Sequence, residues 1–279
     1  MTALYVVLGV LIFIVIAYLF MIMPRVTGKP DTEPFKNHLY AHRGLFDNET
    51  DAPENSMKAF KKAVDAGFGI EMDVQLTKDD VAVVFHDGTL KRMCGVEGKV
   101  CDYTYEELQA FSLAKSEEKI PLFTEVLKTV DGKVPLIIEY KIDDTNPRVC
   151  AIGNEILKDY KGVYCIESFN PFGVRWYKQN RKDIVRGQLS EEFTKNGMKG
   201  TFLHFVMAKL LTNFLTKPDF VAYNALNYKN WSRRICRNLY GNMAVTWTIK
   251  SQEQLDEMRE HFDIFIFDSF VPDPNYMKK

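Results

Sequence analysis

The chain reads Tyr40-Ala-His-Arg-Gly-Leu-Phe46, then Ala52-Pro-Glu-Asn-Ser-Met57, Ile70-Glu-Met-Asp-Val74 and Val84-Phe-His-Asp-Gly88. Three of these segments end a short apolar run with imidazole, guanidinium or carboxylate side chains. In enzymes built as barrels of parallel strands, the catalytic residues lie at the carboxyl ends of the strands. The segments therefore predict one face of a barrel that carries two histidines, an arginine and several carboxylates.

Short apolar runs continue to alternate with helical patterns along the chain, which is typical of an α/β fold with a parallel sheet. We expect a (β/α)8 TIM barrel over residues 38–279 with eight strands: Leu39–His42, Gly69–Val74, Val134–Tyr140, Val163–Glu167, Ile184–Leu189, Phe220–Tyr223, Met243–Ile249 and Asp263–Phe267. Val81–Phe85 is predicted to add a small hairpin insertion that carries His86 over the barrel mouth.

Glu71 and Asp73 are two residues apart, so in a strand their side chains share one face and can converge on a cation. Glu139 ends another apolar run, and Lys141 would lie on its face. An all-oxygen ligand set without thiolates favours Mg²⁺ or Ca²⁺ over zinc. Glu71, Asp73 and Glu139 are therefore the predicted metal ligands.

The order His-Arg-Gly, Pro-Glu-Asn-Ser, Glu-x-Asp, His-Asp and Glu-x-Lys resembles the glycerophosphodiester phosphodiesterase family, from about Leu39 to Pro272. The resemblance implies metal-dependent hydrolysis of glycerophosphodiesters to an alcohol and glycerol 3-phosphate. It assigns acid–base catalysis to two histidines, because imidazole titrates near neutral pH. The implied roles are acid and base for His42 and His86, phosphate binding for Arg43 and Lys141, and a substrate-pocket wall for Trp247.

Two alternatives remain open. A lysophospholipase D would cut the same bond in lysophospholipids at the membrane, and a catalytically silent barrel would serve as a membrane-tethered binding protein. A zinc amidohydrolase on the same fold would want a His-x-His pair on the first strand, which is absent. The expected partners are the substrate and a lipid bilayer. Nucleic acid is not expected, since 36 basic and 37 acidic residues give a formal charge of −1 and no basic face is visible.

Residues 1–23 are predicted to form a transmembrane anchor, because Ala3 to Met23 carry no charge and would span roughly 31 Å as a helix. A cleaved signal peptide is disfavoured by the lack of a basic n-region and of a small-x-small cleavage site. Residues 24–37 are predicted to be a flexible linker. The protein is therefore expected in the cell membrane as a single-pass protein. Arg25, Lys29 and Lys36 follow the helix, and by the positive-inside tendency they predict a cytoplasmic catalytic domain. Five cysteines without a close pair agree with a reducing compartment.

Phe202 to Leu215 is an unusually apolar run. Its residues fall at helical spacing, which favours a barrel helix packed on the sheet. Phe202, Phe205 and Leu215 widen the stripe beyond one packing face. A surface that touches lipid is the alternative.

Overall fold

The computed structural model describes residues 2–195 and 199–278. Within this part of the chain the strands are β1 (Leu39–His42), β2 (Gly69–Leu76), β3 (Ala82–Val84), β4 (Leu136–Tyr140), β5 (Tyr164–Ser168), β6 (Arg186–Ser190), β7 (Phe220–Asn224), β8 (Met243–Ile249) and β9 (Ile264–Phe267). All except β3 pair in parallel, and β1 pairs with both β2 and β9. The sheet therefore closes into the expected eight-stranded barrel, with strand bounds within about two residues of those predicted.

The helices of the described residues lie outside the barrel. They are α1 (Thr2–Ile22), α2 (Glu33–Lys36), α3 (Met57–Asp65), α4 (Lys91–Cys94), α5 (Tyr105–Leu108), α6 (Phe123–Val130), α7 (Arg148–Leu157), α8 (Pro171–Asn180), α9 (Phe202–Ala208), α10 (Asn213–Thr216), α11 (Trp231–Asn238) and α12 (Gln252–Met258). The helices that return the chain from one parallel strand to the next, such as α3, α7, α8, α11 and α12, run antiparallel to the strands.

The predicted hairpin insertion is present and larger than expected. β3 pairs antiparallel with the end of β2, from Leu76 opposite Ala82 to Val74 opposite Val84. The chain then forms a small apolar cluster of its own, which includes Phe85, Leu108 and Ile120. This satellite cluster holds the segment after β3 beside the barrel mouth.

The barrel interior is filled by inward side chains. Tyr40 lies in this interior and donates a hydrogen bond from its hydroxyl to the carbonyl of Phe35. Gly69 faces the Tyr40 ring so closely that a Cβ would lie 2.6 Å from it. A larger residue than glycine would therefore displace the tyrosine from the barrel core.

The segment between the anchor and the barrel is not the flexible linker that we expected. Arg25 donates its backbone N–H to the carbonyl of Pro218 and its guanidinium to that of Lys182. Lys29 donates to the carbonyl of Gly241, and Phe35 is 3% exposed. These partners precede barrel strands, so the segment crosses the amino-terminal face of the barrel and its hydrogen bonds fix it there.

The apolar run from Phe202 to Leu215 is not one helix. It forms α9 and α10, separated by a turn in which Leu210 has φ of +56° while its side chain is fully buried. Burial of an apolar side chain offsets the cost of such a left-handed backbone. The first turn of α9 is exposed, whereas Phe214 of α10 packs on Phe20 of α1 with ring centroids 5.6 Å apart. The run is thus part core and part surface.

Candidate active site

Carboxylates from three adjacent strands form a row near the carboxyl end of the barrel. Register places Asp73 of β2 beside Glu139 of β4, and Glu139 beside Glu167 of β5. Glu71 lies two residues before Asp73 and beside His42. Neighbouring strands are about 4.8 Å apart, so register alone brings these groups together. All four carboxylates are at most 6% exposed.

The buried carboxylates repel one another, and the cationic side chains of Arg43 and Lys141 lie among them. Burial raises the pKa of Glu71 well above its usual value, and Asp73, Glu139 and Glu167 raise it further. Burial would also raise the pKa of Asp73, yet attraction to Lys141 and other cations holds it well below its usual range. Lys141 Nζ lies 2.9 Å from Asp73 Oδ1 and 2.7 Å from Glu139 Oε2. Lys141 therefore stabilises the charged form of Asp73, whereas Glu71 is left without comparable compensation.

Glu71, Asp73 and Glu139 fit a hard divalent cation. One oxygen from each lies within 4.8 Å of the other two. In the described part of the chain, Glu167 Oε2 is buried beside them without a hydrogen-bond partner. Oxygen ligands of this kind suit Mg²⁺ and Ca²⁺. A bound cation would also relieve the repulsion that raises the pKa of Glu71.

Each candidate catalytic histidine is held by a carboxylate through Nδ1. His42 Nδ1 lies 2.9 Å from Asp268 Oδ2, and His86 Nδ1 lies 2.8 Å from Asp87 Oδ1. A carboxylate on Nδ1 fixes the ring orientation and leaves Nε2 available for proton transfer. Burial lowers the pKa of His42, although the hydrogen bond to Asp268 opposes this effect.

The loop after β1 places Arg43 beside the carboxylates. Arg43 and Gly44 have φ of +56° and +83°, and a Cβ on Gly44 would lie 2.9 Å from the carbonyl carbon of Ala59. This tight turn lets the Arg43 backbone N–H donate to Glu71 Oε2 at 3.1 Å. Its guanidinium donates to Glu54 Oε1 at 2.6 Å. The glycine of the His-Arg-Gly motif is therefore required by backbone conformation and by space.

Glu54 also accepts two hydrogen bonds from Arg92, at 2.8 and 2.6 Å. Arg92 in turn donates to Asp87, the partner of His86. Burial alone would raise the pKa of Glu54. Its hydrogen bonds and ion pairs with Arg92, Arg43 and Asn48 have the larger effect and lower the pKa from 4.5 to about 2. A continuous chain of ion pairs thus connects Arg43 to His86 and fixes the hairpin insertion to the barrel mouth.

A cavity of about 410 Å³ opens over these groups. Its lining combines charged and polar side chains with apolar ones. The lining includes His42, Arg43, Glu71, His86, Glu139, Glu167, Phe169, Trp247 and Asp268. Trp247 packs edge-on against Phe169 with ring centroids 5.5 Å apart. The cavity can therefore hold a charged group beside the carboxylates and histidines and a carbon chain beside Phe169 and Trp247.

The structure brings the predicted site residues together. Asp73 and Lys141 differ from the rest, because they pair with each other and neither belongs to the cavity lining. The catalytic, phosphate-binding and metal-binding roles assigned to the predicted site residues remain predictions. Sequence reasoning assigned no role to Asp87, Asp268, Glu167 or the Glu54–Arg92 pair. Asp87 follows His86 directly, and Glu167 and Asp268 end strands, so their positions carried a signal.

Comparison with known proteins agrees with this geometry. Residues 42–266 match the model of the glycerophosphoryl diester phosphodiesterase family. A glycerophosphodiester phosphodiesterase of Bacillus altitudinis is 40% identical over 125 residues, which cover 42% of this chain and 50% of that protein. One from Caldanaerobacter subterraneus subsp. tengcongensis is 33% identical over 166 residues, covering 55% of this chain and 67% of that protein.

The fold also matches solved structures. An Oleispira antarctica phosphodiesterase, described in complex with the product sn-glycerol-3-phosphate, superposes with a TM-score of 0.68 at 20% identity. The match covers 86% of this chain and 95% of that one. At this identity the likeness shows the barrel fold. Taken with the match over residues 42–266, it follows that the chain belongs to the glycerophosphoryl diester phosphodiesterase family.

Proposed function

We propose that this chain hydrolyses glycerophosphodiesters to an alcohol and glycerol 3-phosphate and that it depends on Mg²⁺ or Ca²⁺. The proposal rests above all on one observation. Three buried carboxylates lie close enough together to hold a cation, and two of them, Glu71 and Glu139, line the same cavity as two histidines that are each held by a carboxylate. Glycerol 3-phosphate in the Oleispira antarctica structure supports the same class of product.

Glu71, Asp73 and Glu139 would hold the cation. When bound, it would neutralise charge that grows on the phosphate oxygens in the transition state. Arg43 lines the same cavity and offers a fork of donors to a phosphate oxygen. Lys141 forms ion pairs with Asp73 and Glu139 and so adds positive charge beside the carboxylates. Electrostatic stabilisation would therefore supply much of the rate enhancement.

The histidines would move the protons. One takes the proton of the neighbouring glycerol hydroxyl as its oxygen bonds to phosphorus, and the other protonates the departing alcohol oxygen as the P–O bond breaks. Water then opens the cyclic phosphate with the two roles reversed, which leaves glycerol 3-phosphate. Trp247 and Phe169 form the apolar wall beside this reaction.

The test uses the purified full chain in detergent with glycerophosphocholine and glycerophosphoethanolamine. We expect release of glycerol 3-phosphate, its abolition by EDTA and its return with Mg²⁺ or Ca²⁺. Full turnover by metal-free protein contradicts the metal proposal. Release of phosphocholine in place of glycerol 3-phosphate contradicts the proposed bond cleavage.

Variants separate metal binding from proton transfer. Glu71→Ala, Asp73→Ala and Glu139→Ala should weaken metal binding in calorimetry as well as turnover. His42→Ala and His86→Ala should lower turnover by about a hundredfold or more while metal affinity stays nearly intact. The matched control is Glu155→Ala, because Glu155 is an exposed helical glutamate on α7. A histidine variant that loses metal as the carboxylate variants do would make that histidine a ligand.

We also propose that α1 anchors the protein in the cell membrane, with the barrel on the cytoplasmic side. α1 is 21 residues long with a mean hydropathy of 2.9 and is long and apolar enough to span a bilayer. Basic residues follow it, namely Arg25, Lys29 and Lys36, in agreement with the positive-inside tendency. Protease accessibility in sealed right-side-out vesicles tests the side. Digestion of the barrel in intact vesicles would place it outside.

A further inference from the structure

The last turns of α1 are docked against the barrel in a defined direction. Tyr18 Oη lies 2.9 Å from Ser232 Oγ at the start of α11. Four residues later, the carbonyl of Ile22 accepts from Cys236 Sγ at 3.3 Å, also four residues later in α11. Shortly after α1, Arg25 reaches Pro218 at the amino-terminal face of the barrel, so α1 advances in the same general direction as α11. The contact is buried, since Ile22 has no exposed surface.

This direction determines where the rest of α1 points. α11 follows β7, so it runs from the catalytic face of the barrel toward the opposite face. Because α1 advances in the same general direction as α11, its amino-terminal part projects toward the side of the catalytic face. Residues 2–16 of this part are exposed. A bilayer crossed by α1 thus lies on the side of the active-site cavity.

The length of the free part sets the distance to the bilayer. Residues 2–16 span roughly 22 Å at 1.5 Å per residue, which is shorter than the hydrocarbon core of about 30 Å. The docked turns from Ala17 to Ile22 must therefore supply the remaining length. The barrel surface beside these turns therefore lies against the bilayer.

That surface is apolar and solvent-exposed. α9, the 3₁₀ turn Ala225–Asn227 and the start of α11 follow β6 and β7 on the catalytic side. They present five exposed large apolar residues, which we call the apolar rim: Phe202 (82% exposed), Leu203 (60%), Phe205 (53%), Leu226 (76%) and Trp231 (71%). Tryptophan and phenylalanine are the side chains that membrane interfaces favour.

The charge around the rim fits anionic lipid. Between Phe193 and Arg234, the exposed charged residues within the described segments are all basic: Lys195, Lys199, Lys229 and Arg234. Arg234 lies over the Trp231 ring, 5.1 Å from its centroid. Basic residues beside an apolar surface add attraction to anionic headgroups.

An aromatic path leads from the rim to the catalytic cavity. His204 of α9 stacks on Phe193 with ring centroids 5.1 Å apart, and Phe193 contacts Phe169 at 6.1 Å. Phe169 packs on Trp247 in the cavity wall. The helix that carries most of the rim is thereby connected to the apolar side of the cavity.

We propose that the apolar rim docks on the bilayer surface, so that the cavity faces the membrane and takes single-chain phosphodiester lipids from it. The substrate part of this proposal rests on the proposed hydrolysis. Docking itself does not, because it depends on the direction of α1 and on the exposed residues. A phosphodiester with one acyl chain fits this mixed lining, with its phosphate at Arg43 and its chain toward Phe169 and Phe193.

Docking is tested with the full chain in vesicles of phosphatidylcholine and phosphatidylglycerol that contain a brominated phosphatidylcholine. The chain has three tryptophans, Trp176, Trp231 and Trp247, and none is in α1. We expect bromine to quench tryptophan emission, and Trp231→Phe to remove most of this quenching. Trp176→Phe on α8 is the matched control and should retain it. Equal quenching of the wild type and Trp231→Phe overturns the docking.

Substrate delivery is tested with Phe202→Ser, Phe205→Ser and Leu226→Ser combined. These side chains are mostly exposed, so the barrel should fold. We expect hydrolysis of lysophosphatidylcholine in vesicles to fall about tenfold, while hydrolysis of glycerophosphocholine stays unchanged. Leu239→Ser and Val163→Ser, exposed apolar positions toward the opposite face, are the controls and should change neither activity.

The outcomes separate the two proposals. Quenching at Trp231 without turnover of any substrate supports docking and contradicts the proposed function. Glycerophosphocholine turnover without Trp231 quenching supports the function and overturns docking. A rim that pairs two copies of the chain would shield Trp231 from bromine and give dimers by mass, which also overturns docking on lipid. An unchanged ratio of the two activities in the triple variant overturns the delivery of lysolipid.

Discussion

Glu54→Gln should destabilise the protein strongly, because Glu54 lies between two guanidinium groups. It is 4% exposed and accepts hydrogen bonds from Arg43, Arg92 and Asn48. Its pKa falls from 4.5 to about 2 in the folded state. Each tenfold change in proton affinity is worth about 1.4 kcal/mol, so the charged form contributes about 3 kcal/mol to the free energy of unfolding.

The sign of the pH dependence follows from the lowered pKa. The contribution is complete above pH 4.5, where Glu54 is ionised in both folded and unfolded chains. It declines as the pH falls from 4.5 to about 2, because the unfolded chain then binds the proton first. The difference between wild type and Glu54→Gln should therefore be constant above pH 5 and shrink in acid.

Thermal unfolding of the full chain in detergent measures this effect. About 3 kcal/mol corresponds to a melting temperature lower by roughly 6–12 °C for a domain of this size. The matched control is Glu49→Gln in the same loop, since Glu49 is exposed and pairs with the exposed Lys115. Its effect should be within about 0.5 kcal/mol. Equal melting of Glu54→Gln and wild type at pH 7, or a difference that grows in acid, refutes the reasoning.

Three further changes test the site. Asp268→Asn should lower kcat about tenfold or more with little change in KM, because the hydrogen bond that orients His42 is altered; an unchanged kcat contradicts the orienting role. Gly44→Ala should destabilise by about 1–3 kcal/mol, since φ is +83° and the new Cβ meets the Ala59 carbonyl; thermal melting measures it, and an unshifted melt contradicts it. Glu167→Gln should weaken metal binding in calorimetry, and unchanged affinity would exclude Glu167 from the cation's surroundings.

The barrel and the positions of the site residues were predictable because local patterns encode them. His42 ends an apolar run, and Glu71 and Asp73 alternate along a strand, so closure of the sheet brings them together. The partners that hold these groups were harder to find. Asp268 meets His42 across 226 residues, and Arg92 reaches Glu54 from the insertion across 38. No local periodicity reports such contacts.

The conformation of the linker was also beyond the sequence pattern. Its order comes from hydrogen bonds to backbone carbonyls, such as that of Pro218, and any residue type can offer a carbonyl. Likewise, the break at Leu210 occurs without glycine or proline. The helical spacing of the apolar residues therefore predicted one continuous helix, whereas the packed structure has two, α9 and α10.

The position of Phe35 determines how a soluble version of this protein should be cut. Phe35 packs with Phe220 and Met243 and closes the floor of the barrel, so a chain that starts at residue 38 would leave an open apolar hole. Removal of the first 30 residues would also detach Arg25 from its partners. A cut just before Ala17 would keep the floor and the docked turn while removing most of the apolar helix. A truncated chain for crystallisation should therefore start within α1, at Ala17, and not at the His-Arg-Gly motif.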